Sequence, residues 1–310
     1  MLCFSFLSSK MTLFYDKDYN MKMRKKTNFE FVSTYAKAKR MSAHAFEKHY
    51  QSVMKDPLTL HFQVSLGDFP SFFSVDHPLD LLLKDLLCKN AELNDLMQKL
   101  PERSLRPLVE KAKRDELLAS LAMDGIKISE EDAFLSVHAG ALLPSDDLNS
   151  LSFCYALMDD GVGFPLATLE DLRKLYDLAF RGALGKNERV DSDLFRQRVQ
   201  ESKKPALQGE DIKYALKEAL SILAMENLNV FAKLALFDFF LRYAHPFYRG
   251  NGRFARLEES FYLSEHMSPY FCFFLSTGLQ AGFSELLRAY SLTFAPLNRG
   301  DMSAYANAYL

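Results

Sequence analysis

The segment 229–244 constrains the fold more than any other part of the chain. Its residues are almost all apolar, and only Lys233, Asp238 and Arg242 carry charge. A helix that is apolar on all sides belongs in the core of a protein. Pro246 then stops the helix, because proline cannot continue it. The fold must therefore be built around this helix, and the loop that follows is anchored to the core.

The loop after this helix combines glycines with arginines. Gly250 and Gly252 form a glycine nest, in which unusual backbone angles let successive N–H groups point toward one anion. A second helix, predicted from Arg253 onward, places its positive N-terminal end beside the nest. Arg253 and Arg256 are three positions apart, so both guanidinium groups can reach the same face and bind phosphate oxygens. These features predict a polyphosphate site.

His245 is the residue of this loop whose ordinary pKa suits a general base near neutral pH. A purely structural interpretation competes with this one: a bend between two core helices, with exposed arginines and a core histidine. The stretch from Gly250 to Ala255 also fits the loose dinucleotide fingerprint, but that motif follows a strand, whereas a helix is predicted here. No G-x-x-x-x-G-K-[ST] motif occurs, which excludes a P-loop.

The loop resembles the signature of the Fic family, HPFx[D/E]GNGRxxR. The matching residues are His245, Pro246, Phe247, Gly250, Asn251, Gly252, Arg253 and Arg256. The resemblance extends over roughly residues 75–310. It implies an all-α, Fic-type helical fold with a small β-hairpin flap. It also implies transfer of AMP from ATP to a Tyr, Ser or Thr hydroxyl of a target protein.

The same resemblance implies a role for each matched polar residue. His245 would take the proton from the target hydroxyl. Asn251 and the glycine nest would hold the α- and β-phosphates. Arg253 would bind the β- and γ-phosphates, and Arg256 would reach the γ-phosphate. ATP is thus expected as a substrate.

One position departs from the signature. Where the family has Asp or Glu, which holds Mg²⁺ against the phosphates, this chain has Arg249. Magnesium takes oxygen ligands, and a guanidinium supplies none. The exchange changes the local charge by two units, and one unit at about 4 Å is worth roughly 4 kcal/mol at an effective dielectric of 20. We therefore expect no metal ligand in the chain and impaired or altered catalysis, unless Arg249 neutralises the phosphates as arginine fingers do.

A second motif, Ser-Leu-Ala-Met-Asp-Gly, occupies residues 120–125. It is similar to the motif [S/T]xxxE[G/N] of one class of Fic proteins, whose Glu pairs with the second signature arginine and blocks the γ-phosphate pocket. The resemblance implies an N-terminal inhibitory helix carrying Ser120, Asp124 and Gly125, with Asp124 paired to Arg256. Aspartate is one methylene shorter than glutamate, which leaves its reach open. By itself, the segment is also typical of a helix end with Gly125 as its cap.

The rest of the chain predicts further helices and one strand-forming segment. Residues 62–73 are predicted to be an irregular linker, and residues 194–207 resemble the family's flap hairpin, which clamps an extended target segment. Helices are predicted at 79–100, 107–121, 168–179, 209–223 and 286–290, with another near Phe271. We predict three parts: an N-terminal segment of unknown role (1–75), a helical arm with the inhibitory helix (76–150) and a Fic core domain (151–310).

Composition limits the partners. With 310 residues, 48% of them hydrophobic, and a net charge of −2, the chain has a large core and no general basic field. Nucleic acid and membrane surfaces are therefore not expected as partners. The four cysteines are far apart, which argues against a zinc knuckle or a disulfide framework and favours the cytoplasm. We expect ATP or a related nucleotide, and a target protein docked at 194–207; a homo-oligomer is left open.

Three functions follow from these observations and stay open. The chain is an auto-inhibited AMP transferase, a non-catalytic module that binds nucleotide or protein, or a Fic protein of altered chemistry such as AMP removal.

Overall fold

The computed structural model describes residues 34–75, 77–139, 146–180, 193–196 and 207–310. These ranges are mostly helical, with one antiparallel pair of strands. The first elements are α1 Thr34–Arg40, α2 Ala43–Met54, β1 Leu60–Leu66, β2 Phe69–Phe73, α3 His77–Gln98, α4 Glu102–Met123, α5 Glu130–Ala139, α6 Asp146–Asp159 and α7 Leu169–Phe180. The later elements are α8 Glu210–Leu223, α9 Val230–Ala244, α10 Asn251–His266, a 3-10 turn Phe271–Phe274, α11 Leu275–Ala281, α12 Phe283–Thr293, a 3-10 turn Pro296–Asn298 and α13 Ser303–Tyr309.

Helix α9 is the predicted core helix, and every residue from Phe231 to Leu241 is buried. The Asn229 side chain caps its start by accepting a hydrogen bond from Phe231 N at 2.9 Å. Lys233, which is buried within this helix, donates from its ammonium group to Leu223 O at 3.0 Å, so its charge is hydrogen-bonded. Helices α8 and α10 pack on either side of this core. The prediction from the apolar segment is confirmed.

The strands correct one prediction. Residues 62–73 are not an irregular linker, because they form the hairpin β1–β2 with Leu66 paired to Phe69. Gly67, at φ 63°, makes the turn between the strands. Phe62, Val64 and Leu66 alternate inward, and the burial of these three side chains determines the structure of the segment. The predicted flap at 194–207 is a different segment, and most of it lies outside the described residues.

Helix boundaries differ from prediction mainly at α4, which begins at Glu102 rather than at Pro107. Pro107 lies inside the helix, where it removes one backbone N–H donor without ending the helix. The helix predicted at 168–179 is confirmed as α7, and a capping box forms its start. Thr168 Oγ1 accepts from Asp171 N at 3.1 Å, and Asp171 Oδ2 accepts from Thr168 N at 3.0 Å. The apolar helix predicted near Phe271 is a 3-10 turn that leads into α11.

The loop between the last 3-10 turn and α13 fastens the earliest described elements to the core. Asp301 Oδ2 accepts from Thr34 N at 3.0 Å and from Thr34 Oγ1 at 2.6 Å. Phe72 N donates to Gly300 O at 3.1 Å. A Cβ at Gly300 would lie 2.3 Å from Pro70 O, so only glycine fits there. The division into three parts stays a prediction. These hydrogen bonds join residues of the predicted N-terminal segment (1–75) to residues of the predicted core domain (151–310).

Candidate active site

The loop between α9 and α10 is closed by its own side chain. Asn251 Oδ1 accepts from Phe247 N at 2.9 Å, and Asn251 Nδ2 donates to Phe247 O at 2.7 Å. Gly250 precedes α10 with φ 73°, and a Cβ there would lie 3.1 Å from the Phe180 ring. The side chain of Asn251, predicted to hold phosphates, thus shapes the loop. Its backbone N–H, at the N-terminus of α10, would make any contact with an anion.

A stack of aromatic rings, formed by Phe247, Tyr176 and Phe254, supports this loop. Phe247 is fully buried and lies 3.5 Å from the Tyr176 ring, with an interplanar angle of 8°. Phe254 meets both rings edge-on. The Tyr176 hydroxyl donates to Arg249 O at 2.9 Å. Phe247 therefore anchors the loop, and α7 supplies a second support that the sequence analysis did not identify.

His245 has a left-handed backbone conformation, with φ 45° and ψ 60°. Such a conformation is unfavourable for a residue other than glycine and persists only where its surroundings hold it. Arg196, fully buried, holds it here by donating from Nε to His245 O at 2.5 Å. Arg196 also donates from its backbone N to Pro246 O at 2.9 Å and from Nη2 to Leu207 O at 2.8 Å. Arg196 thus connects His245 to the two described ends of the predicted flap, residues 194–196 and Leu207.

The two predicted phosphate-binding arginines are buried and share one carboxylate. Arg253 and Arg256 are 2% and 0% exposed, whereas the structural interpretation of the loop required exposed arginines. Asp124 Oδ2 lies 2.9 Å from Arg253 Nε, and Asp124 Oδ1 lies 3.0 Å from Arg256 Nη2. Ser120 accepts from Arg256 twice, through Oγ at 3.0 Å and through its carbonyl at 2.6 Å. The side chain of Asp124, although one methylene shorter than glutamate, reaches Arg256 and also Arg253.

The carboxylate lies directly against the first turn of α10. A Cβ at Gly252 would be 2.8 Å from Asp124 Oδ1, so this close approach depends on glycine. Asp124 is the residue that follows the last turn of α4, and Gly125, at φ 78°, turns the chain away. Arg256 Nη1 is buried with no hydrogen-bond partner among the described residues. Asp124 therefore lies against Gly252, and its oxygens leave the Arg256 Nη1 donor without a hydrogen bond.

Comparison with known proteins identifies this region. Residues 166–263 match the model of the Fic/DOC family. The part of the chain from 166 to 263 is therefore similar to a Fic/DOC domain. Its structure is similar to that of a Fic family protein from Desulfovibrio desulfuricans G20, with a TM-score of 0.58, 18% identity, and coverage of 73% of this chain and 70% of that chain. No curated protein matches the chain in sequence.

A second similar structure is Fic-1 (residues 134–508) from C. elegans, with a TM-score of 0.52 and 14% identity. It covers 98% of this chain and 93% of that chain. At these identities the likeness shows the fold, which confirms the predicted Fic-type helical fold. The matched Fic/DOC region contains the loop 245–256 and its support on α7, whereas Ser120 and Asp124 lie before it.

The residues of the loop 245–256 do not fit a magnesium ion at the expected position. Arg249 stands where the signature has an acid, and its guanidinium has no lone-pair oxygen to offer. In the described part of the chain, no group of three or more His, Cys, Asp or Glu residues could hold a metal.

Sequence reasoning found the loop and Asp124 but missed three supporting residues. Tyr176 carried no signal beyond a helical spacing. Arg196 was visible only as part of the flap resemblance. Glu116 could have been found, because Glu116, Ser120 and Asp124 recur every four residues and so lie on one face of α4.

None of the helices in the described ranges has the length and apolar character needed to cross a bilayer.

Proposed function

We propose that the Fic/DOC domain binds ATP or a related nucleotide at loop 245–256 and is inhibited by Asp124. The reaction we assign to it is transfer of AMP to a Tyr, Ser or Thr hydroxyl of a target protein docked near 194–207. One observation carries the proposal. Both oxygens of the Asp124 carboxylate occupy the two buried guanidinium groups that the family resemblance assigns to phosphates.

Charge balance supports an anionic ligand. Arg253 and Arg256 bring two buried positive charges, and both are paired to the single carboxylate of Asp124. A buried charge is costly unless it is paired, and arginine cannot release its proton. Arg256 Nη1 has no partner within the described ranges. A phosphate group carries more charge and more acceptor oxygens than a carboxylate, so it would satisfy this pair more completely.

The position of His245 supports the transfer reaction. In that reaction the target hydroxyl attacks the α-phosphorus, a new P–O bond forms, and pyrophosphate leaves. We assign to His245 the removal of the hydroxyl proton. Its backbone is fixed by Arg196, and the loop that follows is closed by Asn251 and packed through Phe247. Such fixed geometry is what general-base catalysis requires.

A second candidate is a nucleotide-dependent binding module without transfer activity. Arg249 is the observation that favours it, because the side chain at this position cannot hold Mg²⁺. Removal of AMP from a modified protein is the corresponding altered chemistry, and it would appear as release of AMP from such a substrate.

Binding is tested first, by isothermal titration of ATP into the native chain and an Asp124→Ala variant. We expect the variant to bind about tenfold or more tightly, since coupling energies of this kind are 1–3 kcal/mol. Asp160→Ala, at an exposed position after α6, is the matched control and should bind like the native chain. Absence of binding in every protein would overturn the proposal.

Chemistry is tested next, by label transfer from α-³²P-ATP to protein. The comparison is between Asp124→Ala and an Asp124→Ala, Arg249→Asp double variant. Label in both means that the native residue at 249 permits transfer. Label only in the double variant means that the native protein is a nucleotide-binding module.

A further inference from the structure

Helix α4 carries a buried acid that the proposed function does not use. Glu116 is fully buried and lies on the same face as Ser120 and Asp124, one turn before Ser120. Its oxygens are hydrogen-bonded to the backbone of α11. Oε1 accepts from Ser276 N at 2.7 Å, and Oε2 accepts from Thr277 N at 3.1 Å. Glu116 thus attaches the middle of α4 to the start of α11.

The surroundings of Glu116 consist of donors. The Tyr155 hydroxyl adds a contact at 3.4 Å, and Thr277 Oγ1 lies 3.5 Å from Oε2. Burial raises the pKa of Glu116, while the N–H groups of Ser276 and Thr277 and the charge of Arg256 act in the opposite direction. The two backbone N–H groups therefore require two acceptors at this position, and a carboxylate provides them with its two oxygens.

We propose that Glu116 is a positioning residue that holds the inhibitory Asp124 in register with Arg253 and Arg256. This inference rests on the proposed function. A helix rises about 1.5 Å per residue, so a slip of α4 by one residue would carry Asp124 out of hydrogen-bonding range of both guanidinium groups. The two bonds from Glu116 to the backbone of α11 resist such a slip. Helix α11 is then the element whose movement frees the nucleotide site.

The affinity for nucleotide depends on the fraction of molecules in which Asp124 has left the two arginines. A nucleotide whose phosphates require Arg253 and Arg256 binds only the fraction of molecules in which Asp124 has left them. The apparent dissociation constant is the intrinsic constant divided by that fraction. Weakening the bonds between Glu116 and α11 therefore tightens nucleotide binding, although Glu116 lies outside the site.

Glu116→Gln is the test variant, with ATP as the probe. Glutamine has the same shape but turns an N–H₂ donor toward one of the two backbone N–H groups, so a buried hydrogen bond is lost. We expect ATP to bind about tenfold more tightly, as the loss of one such bond implies. Glu102→Gln makes the same chemical change at an exposed position of the same helix and should leave affinity unchanged.

The decisive comparison repeats Glu116→Gln in the Asp124→Ala background. If Glu116 acts through Asp124, the substitution has no further effect on ATP affinity there. An equal effect in both backgrounds would show a general structural role and overturn the inference. If Asp124→Ala tightens ATP binding but Glu116→Gln has no effect, the positioning role of Glu116 is overturned and the inhibition by Asp124 stands. No tightening by Asp124→Ala overturns the inhibition by Asp124, and this inference with it.

Hydrogen exchange on the unaltered chain tests the same idea if the Glu116 variant does not fold. Millimolar ATP, which must displace Asp124, should speed amide exchange both at residues 120–125 and at Ser276 and Thr277. Faster exchange at 120–125 with unchanged exchange at Ser276 and Thr277 would contradict the inference.

Discussion

Helix α10 contains two buried charged regions, and they are balanced in opposite ways. At its start, Arg253 and Arg256 face Asp124. In the next turn, Glu258 and Glu259 are also fully buried, yet neither oxygen of Glu258 has a hydrogen-bond partner among the described residues. Burial raises the pKa of Glu258 well above its ordinary value, and the neighbouring charge of Glu259 raises it further.

The difference follows from what each group can do with its proton. A buried carboxyl group becomes neutral by keeping its proton, so the glutamates need no counter-ion. A guanidinium stays charged at any physiological pH and needs an anion brought to it. Glu259 receives the Tyr309 hydroxyl at 2.8 Å, a permanent partner from α13. The arginines instead take a carboxylate that a phosphate could replace, and only their end of the helix is suited to ligand exchange.

Arg256→Ala should have the largest effect on this contrast. It removes the donor to the Ser120 carbonyl and to Asp124 Oδ1 from a fully buried position. We expect a loss of about 3 kcal/mol in the free energy of unfolding, since breaking a buried ion pair from one side is strongly destabilising. Urea denaturation measures it. Arg288→Ala, at an exposed position of α12, is the control. A loss no larger than the control's would mean that the arginine cluster is not held by charge.

Gly252→Ala should have a smaller effect whose sign depends on Asp124. The added Cβ would lie 2.8 Å from Asp124 Oδ1, so we expect a loss of about 1–2 kcal/mol in the native background. In an Asp124→Ala background the clash with Oδ1 is removed. The remaining close contact, with Arg256 Nη1 at 3.2 Å, is with the end of a side chain that Asp124 no longer holds, so alanine should stabilise the helix by about 0.5 kcal/mol. Thermal and urea unfolding of the four proteins give both values. The same sign in both backgrounds would contradict the close approach of Asp124.

Glu258→Gln tests the acidic region through pH. In the folded protein, the pKa of Glu258 is raised above about 4.5. Its contribution to the free energy of unfolding is therefore fully present below that pH and is lost as the pH rises toward the folded pKa. Relative to the glutamine variant, the native chain should therefore lose about 1 kcal/mol between pH 4.5 and pH 5.5. Unfolding curves at several pH values measure this slope. Glu226→Gln, at an exposed position, should run parallel to the native chain.

The sequence was sufficient where a pattern determines local structure. The apolar run of α9 predicts a buried helix, and the structure agrees. The start of α7 is likewise determined locally, by the hydrogen bonds between Thr168 and Asp171. The pair formed by Asp124 and Arg256 was found through resemblance, since 132 positions separate the two residues. Contacts of that kind leave no local pattern in the chain.

Other features depend on tertiary packing, which periodicity does not report. The hairpin at 60–73 was mistaken for a linker because Gly67 and Pro70 are common loop residues, while the burial of Phe62 and Val64 decides the outcome. Tyr176 becomes part of the site only because α7 packs under the loop. The left-handed backbone of His245 needs Arg196 to hold it, and neither residue predicts the other.

The bonds that join the early elements to the loop before α13 also set an order for folding. Ser74 N donates to Ser303 Oγ at 3.1 Å, across 229 positions of sequence. Thr34 and Asp301 are 267 positions apart. At about 5–20 residues per second, the ribosome takes on the order of ten to fifty seconds to deliver the second partner after the first. The hairpin therefore leaves the ribosome long before the strand edge at Phe72 can be covered, and the nascent chain carries that edge exposed for most of its synthesis.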